Sequence, residues 1–174
     1  MENRLKLEMY KQVNAPKHEC VKLNVDVAID DALGFIGIGV VAKDDRGVVL
    51  GAVSRRMVGL FSPHVGECLV TREGAQLVLS CGFSKWIVEM DALNVYKTVY
   101  SFIQRSVEAN VIDDIRDSCL QVGSGSICYG SCKGNSIAHF LVRLALSNSF
   151  SRVWLDVLSK FLSSFVKTNI IDLE

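Results

Sequence analysis

The run from Val21 to Asp30 constrains this chain more than any other stretch. Val21, Leu23, Val25, Val27 and Ile29 alternate with Lys22, Asn24, Asp26, Ala28 and Asp30. That strict period of two makes a β-strand with one face turned into a core. Two further β-rich runs, Ile36 to Lys43 and Val48 to Ser54, flank Asp44-Asp45-Arg46-Gly47. The separator has turn chemistry, because Asp tolerates left-handed backbone and Gly47 takes a positive φ without steric cost. Three consecutive antiparallel strands therefore open the fold.

The period changes at Ser62-Pro63, where Ser62 can cap a helix and Pro63 suits its first turn. Val65, Cys68, Leu69, Ala75, Val78 and Leu79 then follow a helical face that Gly82 ends. Trp86-Ile87-Val88 is a short apolar burst leading to Glu89-Met90-Asp91 and to a second helical stretch from Ala92 to about Phe102. A strand reached through a helix is a crossover, so this strand runs parallel to an earlier one and the sheet is mixed. Ile112 to Leu120 reads as helix, Ser126 to Ser131 as a last strand, and Asn135 to Ser147 as an amphipathic helix. The expectation is one α/β domain with a five-stranded mixed sheet, three antiparallel strands and then parallel ones, and helices on both faces. Residues 1–20 read as a polar lead-in, 21–147 as the folded domain and 148–174 as an amphipathic tail. In that tail Trp154, Leu155, Leu158, Phe161, Leu162 and Phe165 form an apolar stripe.

Gly34, Gly37 and Gly39 are spaced GxxGxG and lead into a strand. A dinucleotide-binding loop needs the reverse geometry, so a close backbone approach is the better reading. No apolar run is long enough to span a bilayer, and the first residues are charged, so the chain reads as intracellular, nuclear or cytosolic, without a membrane partner. Six cysteines without a CxxC pair read as reduced, buried thiols. Cys128, Cys132 and His139 lack the fourth ligand and short spacing of a zinc site. Lys and Arg total 19 against 19 Asp and Glu. Zero net charge argues mildly against a nucleic-acid partner, since phosphate neutralisation supplies most non-specific affinity.

Three acids stand out. Asp26 lies on the polar face of the first strand, Glu67 in the first turns of the helix after Pro63, and Asp91 at the C-terminal end of the fourth strand. With the first and fourth strands adjacent, these positions converge. Each also has a plain alternative: Asp26 as a solvated strand residue, Glu67 as a helix-dipole partner, Asp91 as the N-cap of the next helix. Clustered carboxylates raise one another's pKa unless a cation intervenes. An oxygen-only cluster suits Mg²⁺ or Mn²⁺ and the two-metal hydrolysis of phosphodiesters.

The same residues carry a family resemblance. Val21-Lys22-Leu23-Asn24-Val25-Asp26, Gly37 to Asp44, Gly47 to Ala52, Glu67-Cys68-Leu69-Val70-Thr71-Arg72-Glu73-Gly74, Val88-Glu89-Met90-Asp91-Ala92 and Asn135-Ser136-Ile137-Ala138-His139 follow one another in order and spacing. From Val21 to Ser147 the chain resembles the type 1 ribonuclease H domain, in particular the plant reverse-transcriptase-like group related to non-LTR retrotransposons. The resemblance implies a ribonuclease H-like fold and cleavage of the RNA strand of an RNA-DNA hybrid. It also implies two Mg²⁺ (or Mn²⁺) ions held by Asp26, Glu67 and Asp91, with His139 as a fourth catalytic participant.

The chain departs from the family pattern at three points. Val27 stands where glycine is usual, His139 where many relatives carry a fourth carboxylate, and Tyr129 where a histidine is typical. Tyrosine, with its pKa near 10, cannot shuttle protons at neutrality as histidine does. Two other functions therefore stay open: a catalytically degenerate nucleic-acid-binding module, and a protein-interaction domain using the tail stripe of an otherwise monomeric chain. Lys43, Arg55, Arg56, Lys85 and Lys133 are the candidate phosphate contacts. Glu73, six residues after Glu67 and turned about 120° from it, reads as a surface or supporting carboxylate. Trp86 reads as a core anchor.

Overall fold

The computed structural model describes residues 20–101, 108–121, 124–130, 135–148 and 151–155. Strands β1 (Val21–Asp30), β2 (Phe35–Lys43) and β3 (Val49–Val58) form the antiparallel meander. The turn between β2 and β3 is built by Asp44, whose carboxylate accepts from the backbone N–H of Arg46 and Val48 at 2.9 and 2.8 Å. Helix α1 (Pro63–Cys81) starts as its sequence requires, with the Ser62 hydroxyl accepting from Val65 N–H at 3.3 Å, and it ends on Gly82. Strand β4 (Lys85–Met90) then pairs parallel with β1, Val21 beside Trp86 and Asn24 beside Glu89. Helices α2 (Leu93–Tyr100) and α3 (Ala109–Gln121) follow, then β5 (Ser124–Tyr129), parallel to β4, and helix α4 (Ser136–Ser147).

The sheet has six strands, in the order β5-β4-β1-β2-β3-β6, where five were expected. The sixth, β6 (Arg152–Leu155), comes from the tail and pairs antiparallel with β3. A four-residue edge strand is too short to declare itself by alternation, which is why this stretch reads only as part of an amphipathic tail. Trp154 packs on the core, whereas Leu158, Phe161, Leu162 and Phe165 lie outside the described residues.

Two apolar clusters fill the two faces. The larger takes Leu23 and Val25 of β1, Ile36, Ile38 and Val40 of β2 and the buried sides of α1, α2 and α3. Trp86 is wholly buried in it, as a core anchor should be. The smaller holds Val41, Ala52, Ile137, Ala138 and Leu141, and so belongs to α4 on the opposite face. Of the five described cysteines, all free, only Cys68 is fully buried, and the other four are half-buried.

Helix α4 lies against bare backbone. A Cβ on Gly37 would stand 2.8 Å from the Val142 carbonyl oxygen, and one on Gly39 2.9 Å from the Val142 nitrogen. Ser54 Oγ donates to the Leu141 carbonyl at 2.8 Å, and Asn135 Nδ2 donates to the Val25 carbonyl at 3.0 Å. Substituting Gly39→Val forces α4 off the sheet, so we expect a loss of about 2 kcal/mol or more in urea denaturation. Wild-type stability in that variant would contradict the close seating of α4.

Candidate functional site

The β1–β4 register sets the site. Asn24 stands beside Glu89, and two residues further along each chain come Asp26 and, just past the end of β4, Asp91. Asp26 points to the α4 face, with 27% of its side chain exposed, and its Oδ2 lies 3.0 Å from Nδ1 of His139. Asp91 is exposed at the sheet end. It does not cap α2, whose N-cap is Ala92, so that alternative for Asp91 falls away.

Glu67 sits in the second turn of α1, half-buried. Burial first, then the charges of Asp91 and Asp26, push its carboxyl up to about 7. The three sequence-selected acids thus share one neighbourhood closely enough for each charge to be felt. Among the described residues, no three His, Cys, Asp or Glu side chains close around a single ion position.

Neighbouring residues hold this neighbourhood in place. Val27 points to the opposite face from Asp26 and packs on α1, its Cγ2 3.5 Å from where a Gly66 Cβ would be. Its bulk therefore supports the turn that carries Glu67. His64, one turn before Glu67, meets Glu108 at 3.0 Å and ties the start of α1 to the start of α3. The buried Cys68 thiol, raised to about 12 by burial and by Glu108 and Glu67, is no nucleophile. Tyr129 is 53% exposed at the end of β5, in register with Met90 and so beside Asp91.

Of the two readings of Glu73, surface or supporting carboxylate, the structure excludes the first. Glu73 is 4% exposed and meets Arg55 of β3 at 3.0 Å. The 120° turn from Glu67 carries it towards the sheet, where a cation from β3 compensates the buried charge. Arg55 is thereby engaged, and Arg56 lies 3.4 Å above the ring of Phe35. Lys133 lies outside the described residues. Two polar residues beside the acids escaped the sequence reading. Glu89 bridges Lys22 at 2.6 Å and Asn24 at 3.3 Å, and Asn135 anchors the start of α4 on β1. An acid in register with a polar Asn24, on the face of the strand that alternates with the core-facing Trp86, Val88 and Met90, was the available signal for Glu89.

Residues 24–145 match the sequence profile of the family described as reverse transcriptase-like. The chain belongs to the reverse transcriptase-like family. Solved structures share the fold at low identity. Ribonuclease H1 from the halophilic archaeon Halobacterium salinarum is 17% identical, with a TM-score of 0.65 over 74% of this chain and 98% of that one. The N-terminal ribonuclease H domain of a Mycobacterium tuberculosis protein is 16% identical, TM-score 0.64, over 74% and 94%. LC11 ribonuclease H1, isolated from compost by a metagenomic approach and solved in complex with an RNA/DNA hybrid, is 19% identical, TM-score 0.62, over 73% and 96%. No curated protein matches at a significant level. This member of the family thus has a ribonuclease H-like fold with a mixed sheet.

The raised Glu67 carries a sign that can be measured. Its folded pKa of about 7 exceeds the ordinary 4.5, so the folded state binds more protons between those values and stability falls as pH rises through that window. The full shift is worth at most about 3 kcal/mol, before screening by solvent. In EDTA, wild type should lose stability relative to Glu67→Gln between pH 4.5 and 7.5 in denaturant titrations. Parallel pH profiles for the two proteins would refute the crowding of these carboxylates.

Proposed function

We propose that the chain is a divalent-metal-dependent ribonuclease acting on the RNA strand of RNA-DNA hybrids. The observation that carries this reading is Glu67, held near neutrality by burial and by Asp91 and Asp26 at the site end of the sheet. A carboxyl crowded in this way gains most from a bound cation. The all-oxygen set of Asp26, Glu67 and Asp91 fits Mg²⁺ or Mn²⁺ in charge and hardness. Supporting it, a relative of the same fold has been solved with an RNA/DNA hybrid. The motif set places the chain, in our reading, in the plant, non-LTR-retrotransposon-related branch of its family.

Asp26, Glu67 and Asp91 would hold the metal, as the two ions that the family resemblance implies. Bound there, such ions would supply the chemistry of water activation and leaving-group stabilisation. His139, 3.0 Å from Asp26, orients that carboxylate and can take or give a proton at its imidazole. Tyr129, exposed at the end of β5 in register with Met90, offers a phenol in place of a proton-shuttling imidazole.

A second reading, a module that binds the hybrid without cutting it, is favoured by one observation. The Asp26 carboxylate is engaged by His139, and no three side chains among the described residues close on one ion. A labelled hybrid separates the two readings. We expect Mg²⁺- or Mn²⁺-dependent cutting of the RNA strand, reduced at least ~100-fold in Asp26→Asn and in Asp91→Asn. Folded wild-type protein that binds hybrid yet never cuts it would leave the second reading standing.

A further inference from the structure

A nucleic-acid strand lying over Asp26, Glu67 and Asp91 meets negative charge at the site itself. Affinity for its backbone has to come from cations around that site. Most cations of the described residues are engaged. Lys22 meets Glu89 at 2.6 Å, Arg46 meets Asp44 at 3.0 Å, Arg55 meets Glu73 at 3.0 Å, Arg72 meets Asp114 at 3.6 Å and Arg116 meets Asp113 at 3.1 Å. Arg56 is stacked on Phe35, and Lys43, Lys85 and Arg152 have interactions of their own. Among the described residues, Arg143 and Lys97 are the exposed cations with no ion-pair partner.

Their places differ. Lys97 is in the last turn of α2. Arg143 is on α4, four residues after His139, so it stands roughly 6 Å further along the axis and about 40° around it. Ala138, Leu141, Val142 and Ala145 are the buried side of that helix, and His139 reaches Asp26 from the flank above β1. Arg143 lies one turn on and about 40° further from the sheet than His139, on the solvent-facing side of the helix. Its position is fixed because α4 is seated on Gly37 and Gly39 and tied down by Ser54 and Asn135.

We propose that Arg143 is a substrate-positioning residue that binds a backbone phosphate next to the phosphodiester to be cut. The guanidinium fork suits two phosphate oxygens, a geometry that a lysine ammonium does not offer. Arg143 thereby supplies, one helical turn from His139, the positive charge that a neutral chain does not supply in bulk. The inference rests on the hybrid as substrate, and the experiment separates the two.

Binding of a fluorescent RNA-DNA hybrid to the full chain is measured across salt concentrations in Ca²⁺, for wild type, Arg143→Gln, Arg143→Lys and Lys97→Gln. We expect Arg143→Gln to bind roughly 3- to 10-fold more weakly and to lower the slope of log affinity against log salt by about 0.7–0.9, one phosphate contact. Arg143→Lys should keep the slope, Lys97→Gln should match wild type, and in cleavage assays Arg143→Gln should raise KM more than it lowers kcat. Wild-type affinity and slope in Arg143→Gln overturn the assignment and leave the hybrid reading intact. An equal loss in Lys97→Gln overturns it too, as a bulk charge effect. Absence of wild-type binding at every salt concentration overturns both.

Discussion

The parallel pairing of β1 with β4 is the constraint on which the site depends. It sets Asp26 beside Asp91, and the helix between the two strands returns Glu67 to the same end of the sheet. Burial first, and then the charges of Asp91 and Asp26, push the Glu67 carboxyl up to about 7. A fold tolerates such crowding when something else compensates it, and a divalent cation is the simplest compensation chemistry provides.

The opposite face shows how a second element is held against that site. Helix α4 approaches β2 closely only because Gly37 and Gly39 leave the space, and this contact brings His139 to Asp26 and leaves Arg143 exposed one turn further along. Backbone-to-backbone seating is stiffer than side-chain packing, so groups on α4 keep their distance from groups on β1. Placement to this tolerance is what a hydrolytic site needs from its scaffold.

Much of this was legible in the residues themselves. The alternation of β1, the Ser62-Pro63 start and Gly82 end of α1, and the crossover to β4 all rest on local chemistry, and they carry Asp26, Glu67 and Asp91 with them. What escaped depended on tertiary contacts. β6 exists because β3 offers a free edge, and four residues of Arg152–Leu155 show no period of their own. The angle alone left Glu73 between a surface and a supporting place, since only the arrival of Arg55 from another strand makes its burial tolerable. Val27, whose place in the family pattern belongs to glycine, makes sense once its side chain is seen to pack beneath Gly66 rather than towards the acids.

Balanced charge, which counts against a nucleic-acid partner when composition is read alone, takes a different meaning beside this geometry. Several acids are gathered at one place, bound cations would reverse the sign there, and Arg143 stands uncommitted next to it. The most direct test of this account is calorimetric titration of the full chain with Mg²⁺ at pH 7 in buffers of different ionisation heat. Binding should be accompanied by release of about half a proton from Glu67, and that release should vanish in Glu67→Gln. Mg²⁺ binding without proton release, or no binding at all, would contradict it.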